Sequence, residues 1–333
     1  MNIYKEIEAE INAASNIVIT AHKSADGDSI GSSLGLLYFI EKLGKKAVVC
    51  HPDKAPDFLH WLDTSAVLLM EENEEEVIEQ MQKADLIFCL DYNATNRVGP
   101  EMQVLLEEAT CKKIMIDHHL NPEEFSTITL SETSASSTSQ LIVDLIEKSG
   151  NLELLDEKIG IPLYVGILTD TGSFRFNSVK PRTHEVLAKI LAAGVQHHLI
   201  HEKLSDNNTE SRLRLQGFAM SEKLEILYEQ NVGIISLSKG ELAKYNYKKG
   251  DTDSLANIVL SIKGIKAAIV FTERDGIIKI SFRSKGSENP VNVLAKEHFN
   301  GGGHANASGG MSDLTIKETL EKLKGLIPQY FQK

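Results

Sequence analysis

The sequence predicts an α/β protein in which a mostly parallel sheet carries helices on both faces and a smaller α+β domain follows. In the first half, short runs rich in β-branched residues alternate with amphipathic helical stretches, which is typical of βαβ units. Towards the C-terminus, two apolar runs flank the turn-forming segment 273–276, which indicates an antiparallel hairpin. We therefore expect domains at 1–194 and 226–333, joined by a helical connector at 195–225.

Each element of the first domain follows from its own apolar pattern. Strands are expected where apolar and β-branched residues form short runs, at 16–21, 46–50, 86–92 and 113–119. Helices are expected where apolar residues recur at helical spacing, at 29–44, 136–150, 155–172 and 181–194. Because parallel strands end at one edge of their sheet, the polar residues that follow these strands are expected at the edge where α/β sheets bind ligands.

The composition is that of a folded protein without membrane spans. Hydrophobic residues make up 42% of the 333 residues, and charged residues make up 25%. The N-terminal segment is acidic and amphipathic, unlike a signal peptide, and the longest apolar stretches fall well short of the roughly 18 residues that a membrane helix needs. The three cysteines are scattered, which favours reduced thiols. These features predict a cytoplasmic protein with no membrane partner.

Charge is distributed unevenly along the chain. Residues 1–210 contain 17 Lys and Arg against 34 Asp and Glu, whereas residues 211–333 contain 18 against 13. Long nucleic acid requires a continuous basic surface, which this distribution does not predict. The asymmetry fits an acidic region that collects cations and a basic region that binds a small anion, although solvated surface charge explains it equally well.

Carboxylates and imidazoles cluster in four segments of the first domain, at 21–31, 89–93, 115–120 and 166–174. The candidate metal ligands in them are His22, Asp26, Asp28, Asp91, His118 and Asp170. One such residue alone is most often a turn or a helix cap, but four carboxylates brought together would repel one another unless divalent cations neutralised them. Oxygen donors with some imidazole favour manganese, with magnesium as the alternative, and six donors suit two ions that share one carboxylate.

The order and spacing of these residues resemble the DHH family of phosphoesterases, and the resemblance covers nearly the whole chain. In the first domain the matching motifs are His22-x3-Asp26-Gly27-Asp28 with Gly31-Ser32, then Asp91, then Asp117-His118-His119, and then Asp170. The C-terminal half resembles the DHH-associated domain in Ser281-Phe282-Arg283-Ser284 and in Gly301-Gly302-Gly303-His304. The segment Ala307-Ser308-Gly309 that follows departs by one hydroxyl group from the family's usual Ala-Ala-Gly.

The resemblance implies a role for each matching residue of the first domain. Metal 1 would be held by His22, Asp26 and Asp91, and metal 2 by Asp28, Asp91, His118 and Asp170. Asp91 would therefore bridge the two ions. Asp117 would orient an imidazole, and His119 would face the scissile phosphate.

A glycine run in the C-terminal half is expected to bind an anion. Gly301, Gly302 and Gly303 would let backbone N–H groups approach a phosphate, with His304 beside them and a helix N-terminus following. A flexible turn is the ordinary alternative for such a run.

Other candidate substrate-binding residues come from the same half. Arg283 offers a bidentate contact to phosphate, and Ser284 follows it in the same motif; an ordinary solvated arginine is the alternative. Asn257 matches the family's pattern, although an ordinary helix position explains it equally well. Arg97 is more consistent with a structural role than with phosphate binding.

The resemblance predicts a manganese-dependent phosphoesterase that cleaves very short oligonucleotides of about two to five residues, RNA or DNA, to mononucleotides. It also implies conversion of 3′-phosphoadenosine 5′-phosphate, a nucleotide bisphosphate, to AMP. A site that binds one terminal phosphate, without an extended basic surface beside it, favours such short substrates. The alternatives are a phosphodiesterase for cyclic dinucleotides or linear pApA and, from another class, a non-catalytic nucleotide-binding regulator. A homodimer is compatible with the sequence, and binding of long nucleic acid is not expected.

Overall fold

The structure, a computed structural model, describes residues 2–206, 208–274 and 276–331, which form two compact units divided between residues 207 and 208. The division falls inside the predicted connector. The helix His197–Ser205 contributes Ile200 to the core of the first unit, whereas the helix Glu210–Phe218 contributes Leu215 to a core of the second. The predicted connector is thus shared between the two units, and the domain boundaries expected from the sequence stay a prediction.

Six parallel strands form the sheet of the first unit. They are β1 (Ile17–Ala21), β2 (Ala47–His51), β3 (Val67–Leu69), β4 (Leu86–Leu90), β5 (Lys112–Asp117) and β6 (Ile128–Ser131). Their order across the sheet is β3-β2-β1-β4-β5-β6, so the four strands predicted from the sequence are its four inner strands. Every residue of β1 and β4 is buried, because helices cover both faces of the sheet.

The described part of the first unit contains eight α-helices. They are α1 (Ile3–Ala13), α2 (Gly27–Lys42), α3 (Glu74–Lys83), α4 (Pro100–Glu108), α5 (Thr138–Lys148), α6 (Glu157–Asp170), α7 (Pro181–Ala192) and α8 (His197–Ser205). Successive strand residues enter opposite cores: Ile19 packs with residues of α2, α5 and α6, and Val18 packs with residues of α3 and α4. The predicted arrangement of helices on both faces is therefore confirmed.

Small residues allow α2 and α6 to approach each other closely. A Cβ atom added at Gly31 would lie 2.4 Å from the carbonyl oxygen of Pro162, and one added at Gly27 would lie 2.2 Å from Thr169 Oγ1. These contacts bring the N-terminal end of α2 beside the C-terminal end of α6 at Asp170. Carboxylates from both helix ends consequently reach the same place.

The second unit is built around a mixed sheet. Its helices are α9 (Glu210–Phe218), α10 (Lys239–Lys244), α11 (Leu255–Leu260), α12 (Val291–His298) and α13 (Ile316–Tyr330). Its strands are β7 (Leu224–Leu227), β8 (Val232–Leu237), β9 (Ala267–Arg274), β10 (Ile277–Ser284), β11 (Gly302–His304) and β12 (Ala307–Ser312). Their order is β11-β12-β10-β9-β8-β7, with β8 and β9 parallel and the other neighbours antiparallel.

The predicted antiparallel hairpin of the second unit is confirmed, and so is the α+β class of this unit. Arg274 at the end of β9 lies opposite Ile277 at the start of β10. Asp275, in the predicted turn between them, lies outside the described residues. Along the described parts of the chain, no helix combines the length and the apolar character needed to cross a membrane.

Candidate metal centre

Asp91 occupies the middle of the site because it follows β4, one of the two central strands of the sheet. Its backbone adopts the left-handed region with a φ of 64°, and its N–H donates to the carbonyl oxygen of Ile116 at 3.1 Å. A non-glycine residue in this conformation costs about 1–3 kcal/mol and persists only where the surrounding structure holds it. The residue is 2% exposed, so its charge needs partners within the protein.

His22 and Asp26 form a first cluster with Asp91. His22 follows β1, and Asp26 is the N-cap of α2, where its carboxylate accepts the N–H of Asp28. The Nε2 atom of His22 lies 3.6 Å from Asp26 Oδ2 and 3.4 Å from Asp91 Oδ2. The other ring nitrogen, Nδ1, lies 2.9 Å from the carbonyl oxygen of Lys23 and donates to it, which leaves Nε2 as the ligand atom.

His118, Asp28 and Asp170 form a second cluster. His118 follows β5, Asp28 lies in the first turn of α2, and Asp170 ends α6. The Nε2 atom of His118 lies 3.4 Å from Asp170 Oδ2 and 3.8 Å from Asp28 Oδ2. The same nitrogen lies 3.4 Å from Asp91 Oδ1. Asp91 thus directs one oxygen to each cluster, as a carboxylate shared between two ions would.

Asp117 fixes the orientation of His119 in the same region. Asp117 is fully buried, and its Oδ1 accepts a hydrogen bond from Nδ1 of His119 at 2.7 Å, while its Oδ2 accepts the backbone N–H of His119 at 3.1 Å. His119 forms a third group with Asp91 and His118 in which the donor atoms lie within 4.8 Å of one another. The two contacts to one carboxylate leave the imidazole of His119 little freedom to rotate.

The structure therefore brings all six predicted metal ligands together in overlapping clusters. Each of the three groups offers three donor atoms within 4.8 Å of one another, a spacing that could hold a metal ion. The division of ligands between metal 1 and metal 2 stays a prediction. Carboxylate oxygens and imidazole nitrogens are donors suited to a divalent cation.

Neighbouring carboxylates raise the pKa of two histidines of the site, His22 and His118. Burial alone would lower the pKa of His22, but Asp26 and Asp91 raise it to about 11. Burial likewise opposes protonation of His118, while Asp91 and Asp28 are the main groups that raise its pKa to about 10. Burial would raise the pKa of Asp91, but His118 and His22 hold it well below its usual range.

Two carboxyl groups of the site have raised pKa values although His22 and His118 lie nearby. Burial and the charges of Asp91 and Asp170 raise the pKa of Asp28 well above its usual value. Burial raises the pKa of Asp170 to about 6, with a contribution from Asp91 and against the effect of His118. Burial and neighbouring carboxylates thus disfavour negative charge at Asp28 and Asp170, which is the condition that a bound cation relieves.

A carboxylate that the sequence reasoning missed supports the first cluster. Asp53 follows β2, and its two oxygens each lie 2.9 Å from the backbone N of Ser24, with Ala25 N at 3.4 Å from one of them. Ser24 has a φ of 65°, in the left-handed region. Asp53 thereby holds the turn between His22 and Asp26. No motif in the sequence identified it, because the contact joins loops that follow different strands.

The N-terminus of α5 is a second support that the sequence reasoning missed. The N–H groups of Thr138 and Ser139 donate to the carboxylate of Asp28 at 2.6 and 2.9 Å, and the hydroxyl of Thr138 donates to Asp91 at 3.0 Å. The run of Ser and Thr at 136–139 could have signalled a helix N-terminus, since these residues favour N-caps. Its proximity to the carboxylates could not be foreseen.

The predicted phosphate-binding arginine of the second unit lies within its sheet. Arg283 on β10 pairs with Ala307 on β12, and its Nη1 donates to the carbonyl oxygen of Phe282 at 2.9 Å. Burial lowers the pKa of Arg283, and Asp253 opposes that shift. Arg283 is therefore a partly desolvated guanidinium, a state in which a contact with an anion is strengthened.

The glycine run forms a hairpin, which corrects one expectation. A helix N-terminus was expected after it, but Gly302–His304 instead form β11 and pair with β12, with Gly303 opposite Ser308. Glycine allows the two strands to approach closely here. A Cβ atom added at Gly303, where φ is 133°, would lie 2.7 Å from the carbonyl oxygen of Ala307. Ser308, the departure from the family's pattern, donates its hydroxyl to the carbonyl oxygen of His304 at 2.8 Å.

The remaining predicted residues of the second unit lie in different settings. The hydroxyl of Ser284 donates to the carbonyl oxygen of Asn289 at 2.5 Å and accepts from Nδ2 of Asn306 at 2.8 Å, so it organises its own loop. Gly301 packs against β12, where an added Cβ atom would lie 2.0 Å from the carbonyl oxygen of Gly309. Asn257 lies exposed on α11. A role in substrate binding stays a prediction for these residues.

Comparison with known families identifies both units. The model of the DHH family, N-terminal domain, matches residues 16–167, and the model of the DHHA1 domain matches residues 230–333. A crystal structure of an exopolyphosphatase-related protein from Bacteroides fragilis superimposes with a TM-score of 0.94 at 38% identity and covers 98% of this chain and 96% of that one.

Curated relatives match over most of the chain as well. A bifunctional oligoribonuclease and PAP phosphatase NrnA from Thermus thermophilus is 30% identical over 310 residues, which cover 92% of this chain and 87% of that protein. The cyclic-di-AMP phosphodiesterase GdpP of Bacillus subtilis is 28% identical over 98% of this chain, but this match covers only 49% of the longer protein. Relatives of two different names thus match more than nine-tenths of this chain.

Proposed function

The chain belongs to the DHH family, and from this membership we propose that it is a phosphoesterase using two divalent ions to hydrolyse very short oligonucleotides, of about two to five residues, to mononucleotides. The proposal includes hydrolysis of 3′-phosphoadenosine 5′-phosphate to AMP, as the name of the Thermus relative suggests. The observation that supports it most is the position of the Asp91 carboxylate. Its Oδ2 lies 3.4 Å from His22 Nε2, and its Oδ1 lies 3.4 Å from His118 Nε2.

The donor atoms fit a pair of ions. Ligands bound at about 2.1 Å to one metal lie roughly 3 Å from one another, and slightly wider spacings are expected before a metal draws them in. The distances from His118 Nε2 to carboxylate oxygens of Asp28, Asp91 and Asp170 are 3.4–3.8 Å, which matches this spacing. Carboxylate with imidazole favours Mn²⁺, with Mg²⁺ as the alternative. When bound, two such ions would supply an activated water and would neutralise the negative charge that develops on the phosphoryl group in the transition state.

The chain's own residues would orient the substrate at this centre. Asp117 holds the imidazole of His119 by hydrogen bonds to Nδ1 and to the backbone N–H. We assign His119 to face the scissile phosphate, since a side chain that is already held in place needs no rearrangement during the reaction. Asp117 would act through His119 and would not contact the substrate.

Recognition of the substrate's terminal phosphate is assigned to the second unit. Arg283 would supply a bidentate guanidinium, and Gly301, Gly302, Gly303 and His304 would supply backbone and imidazole donors. Ser284 and Asn257 would supply further polar contacts. The support is the basic balance of residues 211–333, with 18 Lys and Arg against 13 Asp and Glu. Manganese as the cellular ion, a cytoplasmic location and a homodimer belong to the same proposal.

A substrate panel tests the function. Purified full-length protein with Mn²⁺ is given pApA, RNA oligomers from two nucleotides upwards, 3′-phosphoadenosine 5′-phosphate, cyclic di-AMP and pyrophosphate, and products are separated by ion-exchange chromatography. We expect mononucleotide release that is fastest with the shortest RNAs, and AMP from the bisphosphate. Absence of metal-dependent hydrolysis of every nucleotide substrate would contradict the proposal and favour a nucleotide-binding regulator.

A second candidate is a phosphodiesterase for cyclic dinucleotides or for pApA. The similarity to GdpP over 98% of this chain favours it. Faster turnover of cyclic di-AMP than of pApA and dinucleotide RNA would make it the better assignment.

A further inference from the structure

The first turn of α5 is tied to a buried carboxylate of the metal centre. Ser137 is the N-cap of α5, and its hydroxyl accepts the N–H of Gln140 at 3.1 Å. The N–H groups of the next two residues, Thr138 and Ser139, donate to Asp28 Oδ2 and Oδ1 at 2.6 and 2.9 Å. Asp28 is 1% exposed, so these groups, at the positively polarised end of a helix, take the place of water around the carboxylate.

The hydroxyl of Thr138 makes a separate contact with the shared carboxylate. Its Oγ1 donates to Asp91 Oδ1 at 3.0 Å, and Thr138 is fully buried. Rotation of a carboxylate about its last torsion is soft, so a carboxylate's two oxygens exchange places unless a neighbour holds one of them. This hydrogen bond keeps Oδ1 on the side of His118 and leaves Oδ2 on the side of His22.

We propose that Thr138 is a positioning residue for the metal pair, and this inference rests on the proposed function. Its N–H holds Asp28, and its hydroxyl decides which oxygen of Asp91 faces each cluster. One residue therefore contacts two carboxylates, Asp28 of the second predicted ion position and Asp91, which both positions share. Partners that orient metal ligands commonly account for about 10- to 100-fold in metal affinity.

Two substitutions at this position separate the hydroxyl from the rest of the side chain. T138V keeps the shape of threonine and loses the donor, whereas T138S keeps the donor. Isothermal titration of metal-free, full-length protein with Mn²⁺ should show binding about 10- to 100-fold weaker in T138V and nearly unchanged in T138S. The Mn²⁺ concentration that gives half-maximal hydrolysis of pApA should rise by the same factor, and kcat should recover at saturating Mn²⁺.

Thr183 provides a matched control in the same unit. It is also fully buried, and its Oγ1 donates to Gln140 Oε1 at 2.9 Å, away from the predicted metal ligands. T183V therefore loses this hydrogen bond, together with the one that the hydroxyl accepts from the N–H of Lys180 at 3.2 Å, without changing Asp28 or Asp91. We expect it to lower the melting temperature of the metal-free protein while leaving Mn²⁺ affinity at the wild-type value.

The outcomes separate this inference from the proposed function. Wild-type Mn²⁺ affinity in a folded T138V would overturn the role of Thr138 alone, because the hydroxyl would then serve stability as Thr183 does. If T138V does not fold, T138A carries the test, and the same loss of affinity is required of it. A wild-type protein that binds no Mn²⁺ would overturn both.

Discussion

The two units build their candidate sites in different ways. In the first unit, charged side chains converge from strand ends and helix ends, and Asp28 and Asp91 are 1% and 2% exposed. Each is held by hydrogen bonds from another element of the fold. In the second unit, the glycine run forms β11, an exposed strand at the edge of its sheet, and its candidate donors are mostly backbone groups.

The difference agrees with the ligand that we propose for each site. A metal pair needs several like charges at a fixed spacing, and only a rigid, buried frame overcomes their repulsion. A phosphate needs donors that it can approach, and glycine at a strand edge provides access without bulk. We therefore expect the first unit to control metal binding and turnover, and the second to control the affinity for substrate.

Removing the shared carboxylate should produce the largest effect. D91N keeps the size of the side chain, and asparagine tolerates the left-handed backbone at a φ of 64°. Because a neutral amide cannot bridge two cations, we expect kcat to fall by at least roughly 100- to 1000-fold, the loss seen when one transition-state contact is removed. Titration with Mn²⁺ should show fewer than two ions bound. Retained hydrolysis by folded D91N, with its circular dichroism unchanged, would falsify the assignment of Asp91.

The pH dependence of metal binding should be the next largest effect. The pKa of His22 is raised to about 11 and that of His118 to about 10, so both are protonated at neutral pH in the metal-free protein. A metal can bind Nε2 only after the proton leaves, and Mn²⁺ affinity should therefore rise with pH from about 7 to 9, by up to about tenfold per unit for each proton released.

Calorimetry in buffers of different ionisation enthalpy measures those protons. We expect at least about two to be released as both sites fill at pH 7.5, one from each imidazole and any further protons from Asp28 and Asp170, whose pKa values are also raised. D91N is the control: Asp91 is a main cause of both raised pKa values, so the variant should release fewer protons.

The raised pKa values of His22 and His118 also make the stability of the metal-free protein depend on pH. Because both folded pKa values exceed the unfolded value of about 6.5, this contribution to metal-free stability is complete below pH 6.5 and is lost as pH rises through about 10 and 11. Affinity for Mn²⁺ that does not change over this range would contradict the protonated state of the site.

Arg283 tests the other side of the comparison. R283A removes a partly buried guanidinium of the second unit, whereas the predicted metal ligands all belong to the first unit. Hydrogen bonds to charged groups contribute about 1.5–3 kcal/mol, so KM for pApA should rise by about 10- to 100-fold. Binding of Mn²⁺ should stay at the wild-type value. R283K should restore little, because an ammonium group lacks the bidentate geometry of guanidinium. Weaker Mn²⁺ binding in R283A would show that the two functions are not divided between the units.

Much of the first unit could be predicted because its sequence signals are local. The four inner strands are apolar runs, and Asp91 and His118 follow two of them directly, so the shared edge of a parallel sheet brings them together. Thr138 and Asp53 could not be predicted in the same way. Their contacts with Asp28, Asp91 and Ser24 join segments that are distant in sequence, and a serine, threonine or aspartate in a loop has many ordinary roles.

The second unit was harder to predict because its signals are ambiguous. A run of three glycines is compatible with a phosphate-binding helix N-terminus and with a tight hairpin, and the structure forms the hairpin. Pairing with β12 selects the hairpin, because small residues of β12 lie close to the glycines. Such pairing depends on the neighbouring strand rather than on the run itself.

The smallest effects should distinguish two neighbouring glycines of that hairpin. Gly303 has a φ of 133°, and an added Cβ atom would lie 2.7 Å from the carbonyl oxygen of Ala307, so G303A should cost about 1–3 kcal/mol and lower the melting temperature. Gly302 faces open space, and G302A should change stability by no more than about 0.5 kcal/mol. If a phosphate approaches the backbone at this edge, the new methyl group of G302A obstructs it, and KM for pApA should rise several-fold, by roughly 1 kcal/mol of lost binding. An unchanged KM in G302A would mean that the substrate does not approach this strand, and phosphate recognition would then have to rest on Arg283 without the glycine backbone.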